Sequence, residues 1–109
     1  MKEKYDEFMQ SVGKWKKTDP ERVEAFFNLM DSVENNGVLD KKTKELIAIA
    51  LSVGAQCEYC IAFHVKRAVD MGITPEEMRE AGWMAVLMGG GPKLTTMTSL
   101  EKAIEEFTS

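Results

Sequence analysis

The sequence predicts an all-α fold of about six helices. Apolar residues recur at intervals of three and four rather than two, and runs of β-branched residues are absent. The length of 109 residues is close to that of one domain, and neither an internal repeat nor a low-complexity linker interrupts it. We therefore expect residues 1–109 to form a single helical domain.

The first two helices are predicted from an apolar side and from a start signal. The first covers about residues 2–14. Its apolar side is formed by Tyr5, Phe8, Met9 and Val12. The second begins at Asp19-Pro20-Glu21, which supplies an N-cap carboxylate, a proline at the first helical position and an acidic first turn. It ends near Glu34, before the turn Asn35-Asn36-Gly37.

The third helix is predicted to start after Asp40, its N-cap, and to close or kink at Gly54. Within it, the segment Leu46–Leu51 is apolar all the way round. A helix without a polar face in so short a chain suggests burial on several sides, which is easiest in an oligomer. We therefore expect a homo-oligomer.

Start and stop signals also delimit the last three helices. The fourth begins close to Cys57 and ends at Gly72. The fifth opens with Thr74-Pro75-Glu76-Glu77, a capping box with proline at the first helical position, and stops at Gly89-Gly90-Gly91-Pro92. The sixth covers about residues 93–107. The residues of the fifth helix that we expect in the core are Met78, Ala81, Met84, Ala85 and Met88.

Charge and terminal sequence exclude several classes of partner. The net charge is −4 and no stripe of basic residues is present, which argues against nucleic-acid binding. The charged N-terminus lacks the features of a signal peptide, and the longest apolar runs fall far short of the roughly 20 residues that span a membrane. We therefore expect a cytoplasmic protein.

The two cysteines and the single histidine of the chain all lie within residues 57–64. On a helix, Cys57 and Cys60 stand three residues apart, and Cys60 and His64 four apart, so the three side chains share one face. In the cytosol, a Cys-x-x-Cys pair is more often redox-active or metal-binding than a permanent cross-link. A bridge closing so short a loop also stabilises a fold by only about 2 kcal/mol. The pattern therefore predicts thiol redox chemistry.

Two features could favour the reactive thiolate. The start of a helix near Cys57 supplies the positive end of the helix dipole, and His64, one turn beyond Cys60, supplies a base. Such surroundings can lower a thiol pKa from about 8.5 to roughly 3.5–7.5. Glu45 is a candidate third member, because a carboxylate bonded to an imidazole fixes its tautomer and makes it more basic. The alternative is a solvated glutamate that only offsets the helix dipole, and spacing alone does not decide between the two.

A zinc site is the main chemical alternative, since two thiolates, an imidazole and a carboxylate can bind zinc. However, the helix rises about 10 Å from Cys57 to His64, whereas zinc holds its ligands at about 2.0–2.3 Å. Three ligands spread over two turns can hardly converge on one ion. We therefore expect neither a metal nor another cofactor.

The pattern Glu-x11-Cys-x2-Cys-x3-His, formed by Glu45, Cys57, Cys60 and His64, resembles the signature of the alkylhydroperoxidase D-like branch of the carboxymuconolactone decarboxylase superfamily. The similarity extends over roughly residues 20–105 and includes the Thr-Pro-Glu-Glu turn and the late glycine run. The resemblance implies an all-helical fold, homo-oligomers built as trimers or hexamers, and reduction of hydroperoxides through a cycling disulfide. The decarboxylases of this superfamily act on a lactone without this cysteine pair, so the name itself implies no activity here.

By this resemblance, the chain is expected to be a thiol-dependent peroxidase that reduces alkyl hydroperoxides. Cys60 attacks the peroxide and becomes a sulfenic acid, and Cys57 condenses with it to give the disulfide. Glu45 and His64 relay the proton that leaves Cys60. A thiol or lipoyl-type reductant reopens the bond.

One position differs from the best-known members of the branch. They carry a second histidine just before the second cysteine, where this chain has Tyr59. A phenol with a reference pKa of about 10 cannot shuttle protons near neutral pH. Two alternatives therefore stay open: a protein disulfide reductase without peroxidase turnover, and a non-catalytic oligomeric scaffold regulated by its redox state.

Overall fold

The computed structural model describes residues 1–109 and consists of six α-helices joined by short connections. The helices are α1 (Lys2–Thr18), α2 (Pro20–Glu34), α3 (Lys41–Gly54), α4 (Glu58–Asp70), α5 (Pro75–Gly89) and α6 (Gly91–Thr108). No strand is present, so the predicted all-α fold is confirmed. None of the six combines the length and the apolar character that crossing a bilayer requires.

Two helices extend beyond their predicted ends. α1 continues from residue 14 to Thr18, because the first residue that leaves the helix is Asp19, and a residue that precedes a proline is disfavoured in the α conformation. α6 begins at Gly91 rather than at residue 93, because proline fits the first turn of a helix. Only Gly90, with φ at 73°, separates α5 from α6.

The predicted caps of α3 and α5 are present. The Asp40 carboxylate accepts a hydrogen bond of 2.8 Å from the backbone N–H of Thr43. At α5, the hydroxyl of Thr74 accepts from the N–H of Glu77, and the Glu77 carboxylate accepts from the N–H of Thr74. Each of these bonds satisfies a donor that the helix start would otherwise leave without a partner.

The core is built by the last four helices and by the connection between α4 and α5. α1 packs on α4 through edge-on and tilted contacts of Tyr5 and Phe8 with Phe63, and α2 lies against α1 without a buried residue of its own. α1 and α2 are thus an outer layer beside α4. The core residues are Ile49, Val53, Ile61, Val65, Ala68, Ile73, Met78, Ala85, Leu100, Ala103 and Ile104.

The apolar segment of α3 is only partly covered within one chain. Ile49 and Val53 are fully buried, whereas the side chains of Ile47 and Leu51 are 43% and 67% exposed. These two residues therefore form an apolar outer face of α3. The homo-oligomer expected from this segment stays a prediction.

Two methionines of α5 that were expected in the core are exposed. Met84 and Met88 are 56% and 83% exposed, so that expectation was wrong. The row of α5 that meets the core consists of Met78, Gly82 and Ala85. Met84 follows Met78 by six residues, which is about 240° around a helix. It therefore faces away from the core.

Gly82 lies where α5 and α6 cross closely. A Cβ atom added to it would lie 2.7 Å from Leu100 Cδ2 and 2.7 Å from Met97 Sδ. We expect Gly82→Ala to lower the free energy of unfolding by about 1–3 kcal/mol, measured by urea denaturation. The matched control is Gly13→Ala in α1, where a Cβ meets nothing within 4 Å. There alanine should raise stability by about 0.5–1 kcal/mol, and equal effects at both sites would contradict the close crossing.

Candidate redox site

The two cysteines lie at the start of α4 and are joined by a disulfide, with their Cα atoms 5.2 Å apart. Cys57 is the N-cap residue, with an extended backbone, and its Sγ accepts a hydrogen bond of 3.2 Å from the N–H of Cys60. Both sulfur atoms therefore lie at the positive end of the helix dipole, as the sequence predicts. A thiolate released by reduction would be favoured at this position.

The turn before Cys57 fixes where α4 begins. The N–H of Cys57 donates to the carbonyl of Ser52, and that of Gln56 to the carbonyl of Val53, which is the Schellman arrangement at a helix end. Gln56 takes the left-handed position with φ at 53°, although the sequence offers Gly54 only two residues earlier. The amide of Gln56 accepts a bond from the Lys93 ammonium, which ties this turn to α6.

Glu45 and His64 form a hydrogen-bonded pair across α3 and α4. The two helices pack on each other, and His64 Nδ1 lies 2.8 Å from Glu45 Oε1. The Glu45 side chain is 2% exposed, so it is not the solvated glutamate of the alternative interpretation. An ionised carboxylate can only accept, so beside an ionised Glu45 a neutral imidazole carries its proton on Nδ1. Nε2 then keeps a lone pair that can take up a proton.

Two further charged residues, which the sequence did not single out, complete this cluster. Arg67 Nη2 lies 2.5 Å from Glu34 Oε2, and its Nε lies 3.7 Å from Glu45 Oε2. Arg67 follows His64 by three residues, so the helical period alone would have predicted that both side chains lie on the same face of α4. Glu34 ends α2, and nothing in its spacing connects it to α4.

The end of α2 is held in place by α3, which explains the position of Glu34. The ammonium of Lys44 donates to the carbonyls of Val33 and Asn35, both at 2.8 Å. Asn36 accepts a bond of 2.9 Å from the N–H of Lys41. The two Lys44 bonds satisfy carbonyl groups at the end of α2, and the Asn36 bond satisfies an N–H group at the start of α3.

Cys60 and His64 line two cavities together. The first, of about 160 Å³, lies under α1 and α2 and is almost entirely apolar. The second, of about 580 Å³, opens beside the exposed Leu51 of α3. Cys60 can thus be approached from two sides, whereas Cys57 lines neither cavity. The remaining residues of the first cavity are Phe8, Phe26, Phe27, Met30, Tyr59 and Phe63.

Tyr59, the residue before Cys60, is bonded to α1. Its hydroxyl donates a hydrogen bond of 2.8 Å to Glu7 Oε2. That bond to the carboxylate raises the pKa of Tyr59 above its ordinary value of 10.0. The phenol is therefore protonated near neutral pH.

The metal-ligating groups that lie close together in the structure are not the set that the zinc alternative would use. The cysteines are bonded to each other, and the groups within 4.8 Å of one another are the carboxylates of Glu34 and Glu45 and the imidazole of His64. The Arg67 guanidinium contacts both carboxylates and supplies a positive charge at this place. The guanidinium thus offsets part of the negative charge of the two carboxylates.

The fold and the site define an all-helical protein with a Cys-x-x-Cys disulfide beside a histidine–glutamate pair. Residues 20–102 match the carboxymuconolactone decarboxylase family. The chain belongs to this family, and the spacing of its site residues is consistent with the alkylhydroperoxidase D-like branch.

Two solved structures of family members have the same fold. The apo structure of a protein from Legionella pneumophila has a TM-score of 0.95 and 41% sequence identity, with 99% of this chain and 96% of that chain covered. A protein from Thermotoga maritima, for which involvement in antioxidative response has been suggested, has a TM-score of 0.83 and 30% identity. The match covers 96% of this chain and 90% of that one.

Relatives found by sequence include protein 4 in the cox locus of Paracoccus denitrificans, 46% identical over 68 residues. That match covers 62% of this chain and 61% of the Paracoccus protein, so it spans less than two thirds of that relative. A Cupriavidus necator protein is 33% identical over 92 residues, which covers 84% of this chain and 81% of its own length.

Proposed function

We propose that the protein is a thiol-dependent peroxidase that reduces organic hydroperoxides through a reversible Cys57–Cys60 disulfide. One observation carries this proposal: the disulfide at the start of α4 shares a helix face with His64, which is bonded to the buried Glu45. Membership of the family, and the antioxidative role suggested for the Thermotoga relative, support the same reaction.

Cys60 is the residue that attacks the peroxide, because it shares both cavities with His64. His64 Nε2 takes the proton from the thiol, and the thiolate attacks the terminal oxygen of the hydroperoxide. The O–O bond breaks, the alkoxide leaves, and it receives the proton from the imidazolium as an alcohol. Cys60 is thereby oxidised to a sulfenic acid.

Cys57 completes the reaction. Its sulfur attacks the sulfur of Cys60, the S–O bond breaks, and hydroxide leaves as water with the proton of the Cys57 thiol. The two thiols have then supplied two electrons, and one hydroperoxide has become one alcohol and one water. An external dithiol or lipoyl-type reductant returns two electrons and two protons to the disulfide.

We also propose that the protein acts as a homo-oligomer, a trimer or a hexamer, in the cytoplasm. The exposed apolar face of Ile47 and Leu51 supports an assembly of copies, since water-exposed apolar surface favours association.

A protein disulfide reductase is the second candidate. The position of Tyr59 favours it, because the phenol before Cys60 is bonded to Glu7 and its pKa is raised above the ordinary value. Such an enzyme would exchange its disulfide with dithiols and would not turn over peroxide. A redox-regulated scaffold would neither exchange its disulfide with dithiols nor reduce peroxide at a catalytic rate.

The test uses the reduced protein and cumene hydroperoxide. One equivalent of peroxide is expected to remove two hydrogens from the mass of the chain within seconds, and dithiothreitol should then support continuous peroxide consumption. Intact mass spectrometry and a peroxide assay measure the two effects, with protein alkylated by iodoacetamide as the control. Consumption no faster than in the alkylated control would contradict the peroxidase, and rapid dithiol exchange in the same sample would support the reductase.

A further inference from the structure

The guanidinium of Arg67 lies between two carboxylates from different helices. It contacts Glu34 of α2 at 2.5 Å and Glu45 of α3 at 3.7 Å, whose side chains are only 16% and 2% exposed. We propose that Arg67 is a positioning residue that keeps Glu45 an ionised acceptor and so fixes the tautomer of His64. The use of that tautomer in proton transfer rests on the function proposed above, whereas the tautomer itself can be observed without it.

The electrostatic reason is that two conditions disfavour an ionised Glu45 when Arg67 is absent. The carboxylate is buried, and the acceptor atoms of Glu34 and Glu45 lie within 4.8 Å of each other. Burial and a neighbouring like charge both favour the protonated carboxyl group. A guanidinium keeps its positive charge at any working pH, so Arg67 offsets both conditions permanently.

The protonation state of Glu45 decides which nitrogen of His64 is basic. An ionised Glu45 accepts from Nδ1–H and leaves the lone pair on Nε2. A protonated Glu45 instead donates to Nδ1, and the neutral ring then carries its proton on Nε2. In that tautomer Nε2 cannot take a proton from Cys60. Arg67 therefore acts on the thiol through two intervening side chains.

Other charged groups around the cluster do not replace Arg67. Lys44 is engaged with the carbonyls at the end of α2. Apart from His64, Arg67 is the only cationic side chain within ion-pair distance of Glu45. The charged and titratable groups that face the cluster are Asp31 and Glu34 of α2, Lys41 and Lys44 of α3, and His64 and Arg67 of α4.

Arg67 also contacts the ring that packs on the imidazole. Its guanidinium lies 5.5 Å from the ring centroid of Phe63. Phe63 stacks on His64, with the ring centroids 5.2 Å apart and the planes 10° from parallel. The cation thus adjoins both neighbours of His64, the carboxylate and the aromatic ring.

The test compares Arg67→Met with Glu34→Gln. His64 is the single histidine of the chain, so long-range 1H–15N NMR spectra report its tautomer without overlap. We expect Nδ1–H in the parent protein, a shift of the ring proton to Nε2 in Arg67→Met, and retention of Nδ1–H in Glu34→Gln, where Arg67 can turn fully to Glu45. Iodoacetamide should alkylate reduced Cys60 about tenfold more slowly at pH 7 in Arg67→Met, but no more slowly in Glu34→Gln.

A purely structural ion pair predicts a different pattern. If Arg67 only pinned the end of α2, both substitutions would break the same pair and act alike. Equal effects of the two, or an unchanged tautomer in Arg67→Met, would overturn the proposal. Arg67→Lys keeps a charge at this place and should retain most of the parent behaviour, and Lys66→Met, on the same helix, serves as the control. Neither readout requires peroxide, so a failed peroxidase leaves this result interpretable.

Discussion

Replacing Cys60 by serine is expected to reduce peroxide consumption to the rate seen without protein. A serine hydroxyl is a far weaker nucleophile than a thiolate, and loss of a nucleophile costs enzymes about 10³-fold or more in rate. The remaining Cys57 lines neither of the cavities beside His64. We therefore do not expect Cys57 to replace Cys60 as the thiol that attacks the peroxide. The measurement is dithiothreitol-dependent decay of cumene hydroperoxide.

Cys57→Ser provides the matched comparison, because it removes the second thiol and leaves the first beside His64. This variant should also fail to turn over, but it should react once and stop at the sulfenic acid of Cys60. Dimedone traps that species, and mass spectrometry detects the adduct. A dimedone adduct on Cys57 in the Cys60→Ser variant, with none in Cys57→Ser, would reverse the two roles.

Much of the fold could be predicted because its signals are local. The caps at Asp40 and Thr74 depend on residues within one turn, and both are present. Met84 and Met88 were misplaced because spacing shows which residues share a face but not which of two apolar faces meets the core. α3 ends at Gly54, as predicted, but the left-handed residue in the turn that follows is Gln56, a conformation that glycine takes more readily and that local propensity does not predict for glutamine.

The residues of the site differ in the same way: those on one helix could be predicted from local spacing, and those on other helices could not. Cys57, Cys60 and His64 lie on one helix, so their proximity follows from its periodicity alone. Glu45 is on another helix, and only a family resemblance connected it to His64 before the structure showed the bond. Glu34 lies at the end of a third helix. A charged residue at the end of an exposed helix cannot be told from an ordinary surface residue in the sequence, so nothing singled it out. Contacts between elements depend on packing, which no local pattern contains.

Replacing His64 by glutamine is expected to slow reaction of the reduced protein with peroxide about 10²-fold at pH 7, because the base beside Cys60 is lost. Glutamine keeps a polar side chain of similar length but cannot take up a proton. Glu45→Gln should slow the reaction about tenfold, since an amide holds the imidazole without its negative charge. Stopped-flow fluorescence or competition kinetics with a second peroxidase gives both rates.

The pH dependence distinguishes loss of a base from loss of a structural contact. As pH rises toward the ordinary thiol value of about 8.5, solvent deprotonates Cys60 without assistance, so the deficit of His64→Gln should shrink steadily. A deficit of constant size from pH 6 to pH 10 would show that His64 acts through packing on Phe63 instead. Lys66→Gln, which changes a charged residue on the same helix, should follow the parent protein throughout, because Lys66 pairs with Asp70 away from the thiols.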